Sequence, residues 1–430
     1  MQVKNKLSYS SLLVLLSLNI ASIDSALAAS SLPLLTIDKV QYKGAFRIPS
    51  GTYGASSADY SYGAIGFNPD KNSLFVAGHE YEGAIAEFPI PAIVNSTDIG
   101  ALKTASTPIQ SFAKVLSKAT NVDWGQGLRV SGIYYSGSKL MVNMYRFYDN
   151  GAPFMQTPTM ILEDANGIAA TKSLKGYLPV QGGVAAGGWV SPIPTEFQSA
   201  LGGTHISGFT SSTARAIVYT GSNGPAAFAF SPNIAMANSA TTTSISTVKL
   251  VAYSLDNPLA PGGDLYNTSR TNQYWTHASE ASYGMIVPGT RSYLVLGVSG
   301  GHKSGIAYGD PPYGGYKGYY TIDQKDIYTY YWLYDVNDFE KAKNGTIQPY
   351  AIKPYAVGKF NAPFQGSGVN PISGGTFDAA TGTMYLSISR ADTQSGGNPS
   401  IIAAYKFDVA ASTEPSPPKP PGNITGTPTN

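Results

Sequence analysis

The residues able to do chemistry are few and widely spaced. Four histidines and no cysteine occur in 430 residues, which excludes a thiol nucleophile, thiolate metal sites and disulfides. Each histidine sits in a tract rich in small, hydroxylic or aromatic residues: His79 in HEYEG, His205 after GGT, His277 in YWTHASE and His302 in SGGHKSGIAYGDPPYGG. Glu80, Arg146, Trp275, Lys303, Asp310 and Arg390 lie in similar tracts. Such residues suit two chemistries. One is binding of a glycan or other polar ligand, with Tyr and Trp as flat platforms and glycine loops that expose backbone amides. The other is β-elimination on a uronate. That reaction needs a cation against the sugar carboxylate, a base for the C5 proton and an acid for the leaving oxygen. Arg146 or Lys303 is then the cation, His302 or His277 the base and Tyr308 the acid.

The remaining motifs are weaker. Residues 297–301, GVSGG, match G-x-S-x-G, but a nucleophile elbow turns into a helix. The KSGIAYGDPP that follows cannot continue one, so Ser299 does not read as a nucleophile. No H-x-x-H or H-E-x-x-H spacing occurs. No cofactor is expected, and a divalent metal would need histidines from separate parts of the fold. No carboxylate pair suggests a hydrolase. Asp70 and Asp378 read as turn formers. Trp332, inside YYWLY, reads as core, whereas Trp275 beside His277 is the better ligand platform. An ordinary reading stands beside all of these: long loops are exposed, and exposed loops hold polar residues.

Positioning such scattered residues is the task of a repeated unit. Residues 372–377, 384–389 and 401–407 form three short apolar runs, with the turn DAATG after the first. The pattern recurs at 62–67, 74–77 and 84–88; at 130–134, 140–144 and 159–162; at 206–209, 216–219 and 226–230; and at 281–287, 293–298 and 328–334. Fourth strands fit at 248–253 and 350–357. Tandem four-stranded antiparallel units define an all-β fold, the β-propeller. About five blades are expected, and the long spacings allow five to seven. The last unit lacks a fourth strand. The lone strand at 37–48 is expected to supply it and close the ring. Two short helices are expected at 196–201, capped by Thr195, and up to Lys343, capped by Asp335 or Asn337.

Residues 1–28 read as a secretory leader: Lys4 and Lys6, an apolar stretch over 12–23, and Ala26-Leu27-Ala28 as a small-x-small cleavage site. A single propeller domain spans 29–411, and the Pro/Thr-rich residues 412–430 read as a disordered tail. Location is expected to be secreted or periplasmic, with a monomeric mature chain that does not insert in a membrane. The net charge of +2 gives no reason to expect nucleic acid. An outer-membrane barrel is the competing architecture. It needs alternating strands of about ten residues, longer than these.

Several phrases occur together: GHEYEGAIAEFPIP from Gly78, GGWVSPIPTEFQSALGG from Gly187, GSNGPAAFAFSP from Gly221, KGYYTID from Lys317, YWLYDVNDFEKAKNG from Tyr331 and GGTFDAATGTMYLS from Gly374. In these the chain resembles a group of uncharacterised exported bacterial proteins of propeller-like sequence. The resemblance implies the fold and an exported protein, and no activity, cofactor or site residue. It departs from the group's GRHG at Gly300-Gly301-His302, and from a histidine near Tyr319.

In a four-stranded blade, second-to-third loops and inter-blade links share one face. By that rule all four histidines are expected on one face, at the axial mouth. The expected function is binding of an extracellular glycan or other polar ligand there. The alternatives are a uronate lyase and a protein-interaction propeller with an apolar patch on the same face.

Overall fold

The computed structural model describes residues 29–119, 121, 127–149, 156–211, 217–218, 221–308, 320–366 and 369–409. The expected leader and tail therefore lie outside the described residues. Among the described residues, twenty strands build five antiparallel blades. The first strand, β1 (Val40–Arg47), leaves the N-terminal segment. Blade 1 is β2 (Ile65–Asn68), β3 (Ser73–Ala77), β4 (Ala84–Pro89) and β5 (Gln110–Lys114). Blade 2 is β6 (Leu128–Ser136), β7 (Lys139–Arg146), β8 (Thr159–Leu162) and β9 (Ser173–Leu178). Blade 3 is β10 (Trp189–Pro192), β11 (His205–Gly208), β12 (Ala227–Phe230) and β13 (Val248–Val251). Blade 4 is β14 (Glu280–Ile286), β15 (Ser292–Gly300), β16 (Ile327–Asp335) and β17 (Ala356–Lys359). Blade 5 has β18 (Ile372–Asp378), β19 (Thr383–Ile388) and β20 (Ile401–Phe407), and β1 completes it.

The expected ring closure is present: β1 runs antiparallel to β20, from Val40 opposite Phe407 to Arg47 opposite Ile401. Side chains tie the same join. Arg47 Nε donates to Asp392 Oδ2 at 2.8 Å, and Asp392 is fully buried.

The innermost strands β2, β6, β10, β14 and β18 touch in ring order, and β10 also approaches β18 across the axis. Missing side chains make this approach feasible. A Cβ on Gly132 would lie 1.9 Å from the Gly188 carbonyl oxygen of the next blade. One on Gly66 would meet the Ile133 oxygen at 2.7 Å, and one on Gly374 the Gly63 oxygen at 2.7 Å. Farther out, tyrosines fill the wedges between blades and bond across them. Tyr293 of blade 4 donates to the Ala226 carbonyl at 2.8 Å, Tyr177 of blade 2 to Leu116 at 2.7 Å, and Tyr253 to Ile352 at 2.6 Å. Tyr135 of blade 2 donates to Asp70 in the first turn of blade 1. A ring of this size can be buried when its one hydroxyl reaches a carbonyl.

The third blade differs from expectation. Its innermost strand is Trp189–Pro192, and the stretch expected first, 206–209, is mainly the second strand. Trp189 is buried and the helix α1 (Thr195–Leu201) is inserted before β11, so the hairpin signal is split. Ile217–Val218, expected in a blade strand, instead pairs in parallel with Tyr148–Asp149 outside the blades. Thr195 begins α1 rather than capping it; Pro194 is the cap residue and Gly202 ends the helix in left-handed conformation. A second helix, α2 (Pro232–Ala237), was not expected. The third, α3 (Val336–Lys343), is capped as expected by Asp335, which accepts from the Asn337 N–H at 3.0 Å. No helix among the described residues is long and apolar enough to cross a membrane.

The seams between blades give a direct test. Gly132→Ala drives a methyl into backbone and is expected to cost about 3 kcal/mol in urea unfolding. Gly396→Ala, where a Cβ meets nothing within 4 Å, is expected to change stability by less than about 0.5 kcal/mol.

Candidate functional site

Strand direction divides the propeller into two ends. The second-to-third loops and inter-blade links open on a loop end. First-to-second and third-to-fourth connections, which carry α1, α2 and α3, form a helix end. His79, His277 and His302 are on the loop end. His205 is not. It begins β11 and pairs with Pro192 at the far end of β10, so the expectation that all four histidines share one face is corrected. The cause is the displaced innermost strand of blade 3.

The loop end carries a cavity between blades 1 and 2, lined by Tyr62, Gly63, Gly78, His79, Glu80 and Arg129 among others. The tight turn out of β3 builds one wall. The His79 N–H donates to Ser56 Oγ at 3.1 Å, and a Cβ on Gly78 would come within 2.4 Å of that oxygen. Arg129, on the innermost strand of blade 2, builds the other. It is only 5% exposed. Its Nη2 lies 3.6 Å from Glu80 Oε2, and its guanidinium carbon lies 4.2 Å from the Phe147 ring centre and 5.3 Å from that of Tyr81. Its Nε has no hydrogen-bond partner among the described residues. At the rim, Tyr60 and Tyr81 flank His79 with ring centres at 5.8 and 5.5 Å. They are 49% and 68% exposed. A buried cation with an unfilled N–H, beside exposed flat rings, matches a ligand with an anionic group on a ring-shaped body.

A second cluster lies under blade 4. His302 is buried and stacks on Tyr330, ring centres 5.0 Å apart. Its Nδ1 is 2.9 Å from the Asn272 carbonyl oxygen, which can only accept, so Nδ1 carries the proton. Nε2 therefore accepts from Ser299 Oγ at 2.8 Å, and Ser299 accepts from Ser279 at 2.6 Å. The Ser299–His302 pair has the contacts of a nucleophile and base. Yet Ser299 is fully buried in β15, and no helix follows it. Burial pushes the His302 pKa down. His277 packs edge-on to Tyr266 at 4.7 Å, and burial pushes its pKa down to about 4. The residues expected as bases are thus held neutral, His302 enclosed and His277 half-buried.

The other expected residues are dispersed. Trp275 is 1% exposed and packs on Trp332 at 5.2 Å. It is core, not a platform, because Asn272 Nδ2 ties the Trp275 carbonyl inward at 2.6 Å. Trp332 is core as expected. Lys303 is exposed, with its N–H donated to buried Asp326 at 2.7 Å. Arg146 ends β7 opposite Leu128, half-buried on the loop end. Arg390 is exposed on the blade 5 loop, with φ 57°. Tyr308 lies in a two-residue strand paired with Tyr320–Thr321, and Asp310 lies outside the described residues. Among the described residues, no three His, Asp or Glu side chains converge as a metal site would require. Asp378 accepts from the Ala380 N–H at 2.9 Å, the bond of a turn former. Arg129, Tyr60 and Tyr62 were missed. Arg129 lies in a strand, where loop-based reasoning does not look; DYSYG before β2 was the available signal for the tyrosines.

No family model and no curated protein matches the chain. Among solved structures it is similar to a glycosyl hydrolase from Bacteroides ovatus, 12% identical over 88% of this chain and 94% of that one, TM-score 0.31. The PQQ-bound aldose sugar dehydrogenase of Streptomyces coelicolor is 10% identical over 85% and 99%, TM-score 0.26. The β-propeller domain of Myceliophteria thermophila Cps50 (Swd1) is 6% identical over 86% and 99%, TM-score 0.24. Likeness at this level says nothing of activity. The fold itself defines a five-bladed β-propeller.

Histidine burial has a pH consequence. Burial also pushes the His205 pKa down to about 4, against about 6.5 in an unfolded chain. Stability from this residue is complete above about pH 6.5 and falls as pH drops towards 4, because the unfolded chain takes up a proton that the folded chain refuses. In His205→Gln, urea unfolding from pH 6.5 to 4 is expected to lose up to about 1.4 kcal/mol less per pH unit than in the parent.

Proposed function

We propose that this propeller is an exported binding protein for an acidic glycan, held in the loop-end cavity between blades 1 and 2. The observation that supports it is Arg129: a guanidinium in a buried position, with an unfilled Nε, beside exposed Tyr60 and Tyr81. A uronate carboxylate satisfies the cation, while the apolar face of the sugar packs on a tyrosine ring. Glu80 holds the guanidinium in place when the cavity is empty, at a distance too long for a good hydrogen bond.

A lyase is the second reading, favoured by one observation. The cavity brings together Arg129, His79 and Tyr62, the three residue types that uronate β-elimination needs. In that reading Arg129 takes the cation role first sought in Arg146 or Lys303.

Calorimetric titration with acidic and matched neutral oligosaccharides separates these readings. The wild type is expected to bind the acidic set at least about tenfold more tightly, a difference of about 1.4 kcal/mol. Arg129→Gln is expected to abolish that preference, and Tyr81→Ala to weaken acidic and neutral ligands alike by about tenfold. Absence of binding to any acidic oligosaccharide removes the proposal. Ultraviolet-absorbing unsaturated products from a polyuronate, lost in His79→Ala, would replace binding with the lyase.

A further inference from the structure

The helix end holds a second, small cavity between α1 and α3. Its lining includes Glu196 and Phe197 of α1, Val336 and Glu340 of α3, and Ala29 and Ser30. Ala29 is 4% exposed and belongs to the main hydrophobic core together with Phe197, Leu201 and Val336. The chain that follows is fastened bond by bond. Asn337 Nδ2 donates to the Ser30 carbonyl at 3.2 Å, and Arg291 Nη1 to that of Leu32 at 2.7 Å. The Leu35 N–H donates to Ser292 Oγ at 2.8 Å, and Tyr355 donates to the Leu35 carbonyl at 2.8 Å. The position of Ala29 is therefore set by blade 4, before β1 begins.

The cavity has two acids and an open account of charge. Neither the Glu196 nor the Glu340 side chain has a hydrogen-bond or ion-pair partner among the described residues, and both are half-buried. The cations nearby are committed. Arg291 is paired with Asp335 at 3.1 Å, Lys341 with Asp338 at 2.7 Å, and Lys343 donates to the Ser199 carbonyl at 2.8 Å. Two unpaired carboxylates lining one cavity leave a place where a cation would be favoured. Immediately before Ala29 stands Ala26-Leu27-Ala28, small at the positions one and three residues before a cut.

We infer that cleavage after Ala28 supplies that cation: the ammonium freed on Ala29 docks between α1 and α3 against Glu196 and Glu340. Hydrolysis by a peptidase with small-x-small preference adds one water across the Ala28–Ala29 amide. The water oxygen stays on the Ala28 carbonyl carbon as a carboxylate. The Ala29 nitrogen leaves as an amine and takes up a proton. Processing then does more than release the chain, because it finishes the packing of the segment that leads into β1. The inference rests on the leader reading and is independent of any glycan.

The test compares three chains: one beginning at Ala29, one beginning at Leu27, and the Ala29 form carrying Glu196→Gln and Glu340→Gln. Sequencing of the exported protein is expected to begin Ala-Ser-Ser. The Ala29 chain is expected to melt about 2 °C above the Leu27 chain at pH 7, and the gain is expected to vanish in the glutamine variant. The ammonium should titrate above the ordinary range of about 7.7–8.0, as read from the pH dependence of its acetylation. Its stabilisation is therefore complete below that range and lost as pH rises through the folded-state value. If the glutamine variant does not fold, Ala29 chain acetylated at its N-terminus takes its place, and should melt like the Leu27 chain. Cleavage at another bond, equal melting of the Ala29 and Leu27 chains, or an amine titrating in its ordinary range overturns the inference.

Discussion

A ring of sheets depends on the pairing that shuts it. Here β1, from the beginning of the described chain, completes a blade whose other strands come from its end. Without that pairing β20 would present an open edge, and blades 5 and 1 would lose one of the ties between them. Closure carries the loop-entropy cost of nearly the whole chain, but that cost grows only slowly with length. The buried Asp392 with Arg47 then makes the register specific, since a slipped strand would leave a carboxylate without its cation. The cavity between blades 1 and 2 inherits this constraint. Tyr60 and Tyr62 lie on the link from β1 to β2, so the strand that closes the ring also sets where those rings stand.

Glycine and tyrosine, both abundant in the chain, have complementary tasks. Glycines allow the innermost strands to meet backbone to backbone, and tyrosines fill the space that widens outward between blades. The hydroxyls of Tyr293, Tyr177, Tyr253 and Tyr135 reach a carbonyl or side chain of a neighbouring blade, which makes tyrosine more useful than phenylalanine in those wedges. A strand residue such as Arg129 is consequently held more firmly than any loop residue could be. That firmness lets a buried guanidinium keep an unfilled N–H in place instead of collapsing onto a nearby oxygen.

Much of the architecture was legible because it is written in repetition. The DAATG turn with its flanking apolar runs, its echoes along the chain and the lone strand before residue 48 were enough for five blades and a closed ring. Blade 3 was harder to read. Trp189–Pro192 is a short strand beside glycines, with α1 inserted before its partner, so neither period nor turn spacing marked it. That single shift moved His205 to the wrong end. Trp275 was misread for a different reason: a tryptophan beside a histidine in a polar tract looks exposed, and the Asn272 bonds that fold it inward are not visible in one dimension. Of the site, His79 and Glu80 were legible from HEYEG. Arg129 was not, since nothing about a lone arginine in a strand announces which loop will cover it.

The glycine contacts between innermost strands carry a last implication. With backbone meeting backbone between neighbouring innermost strands, and β10 reaching towards β18 across the axis, the middle of the wheel is narrow. A polymer of the proposed acidic glycan would then lie across the outside of the loop end, presenting one unit at a time sideways, and would depart by the route it came.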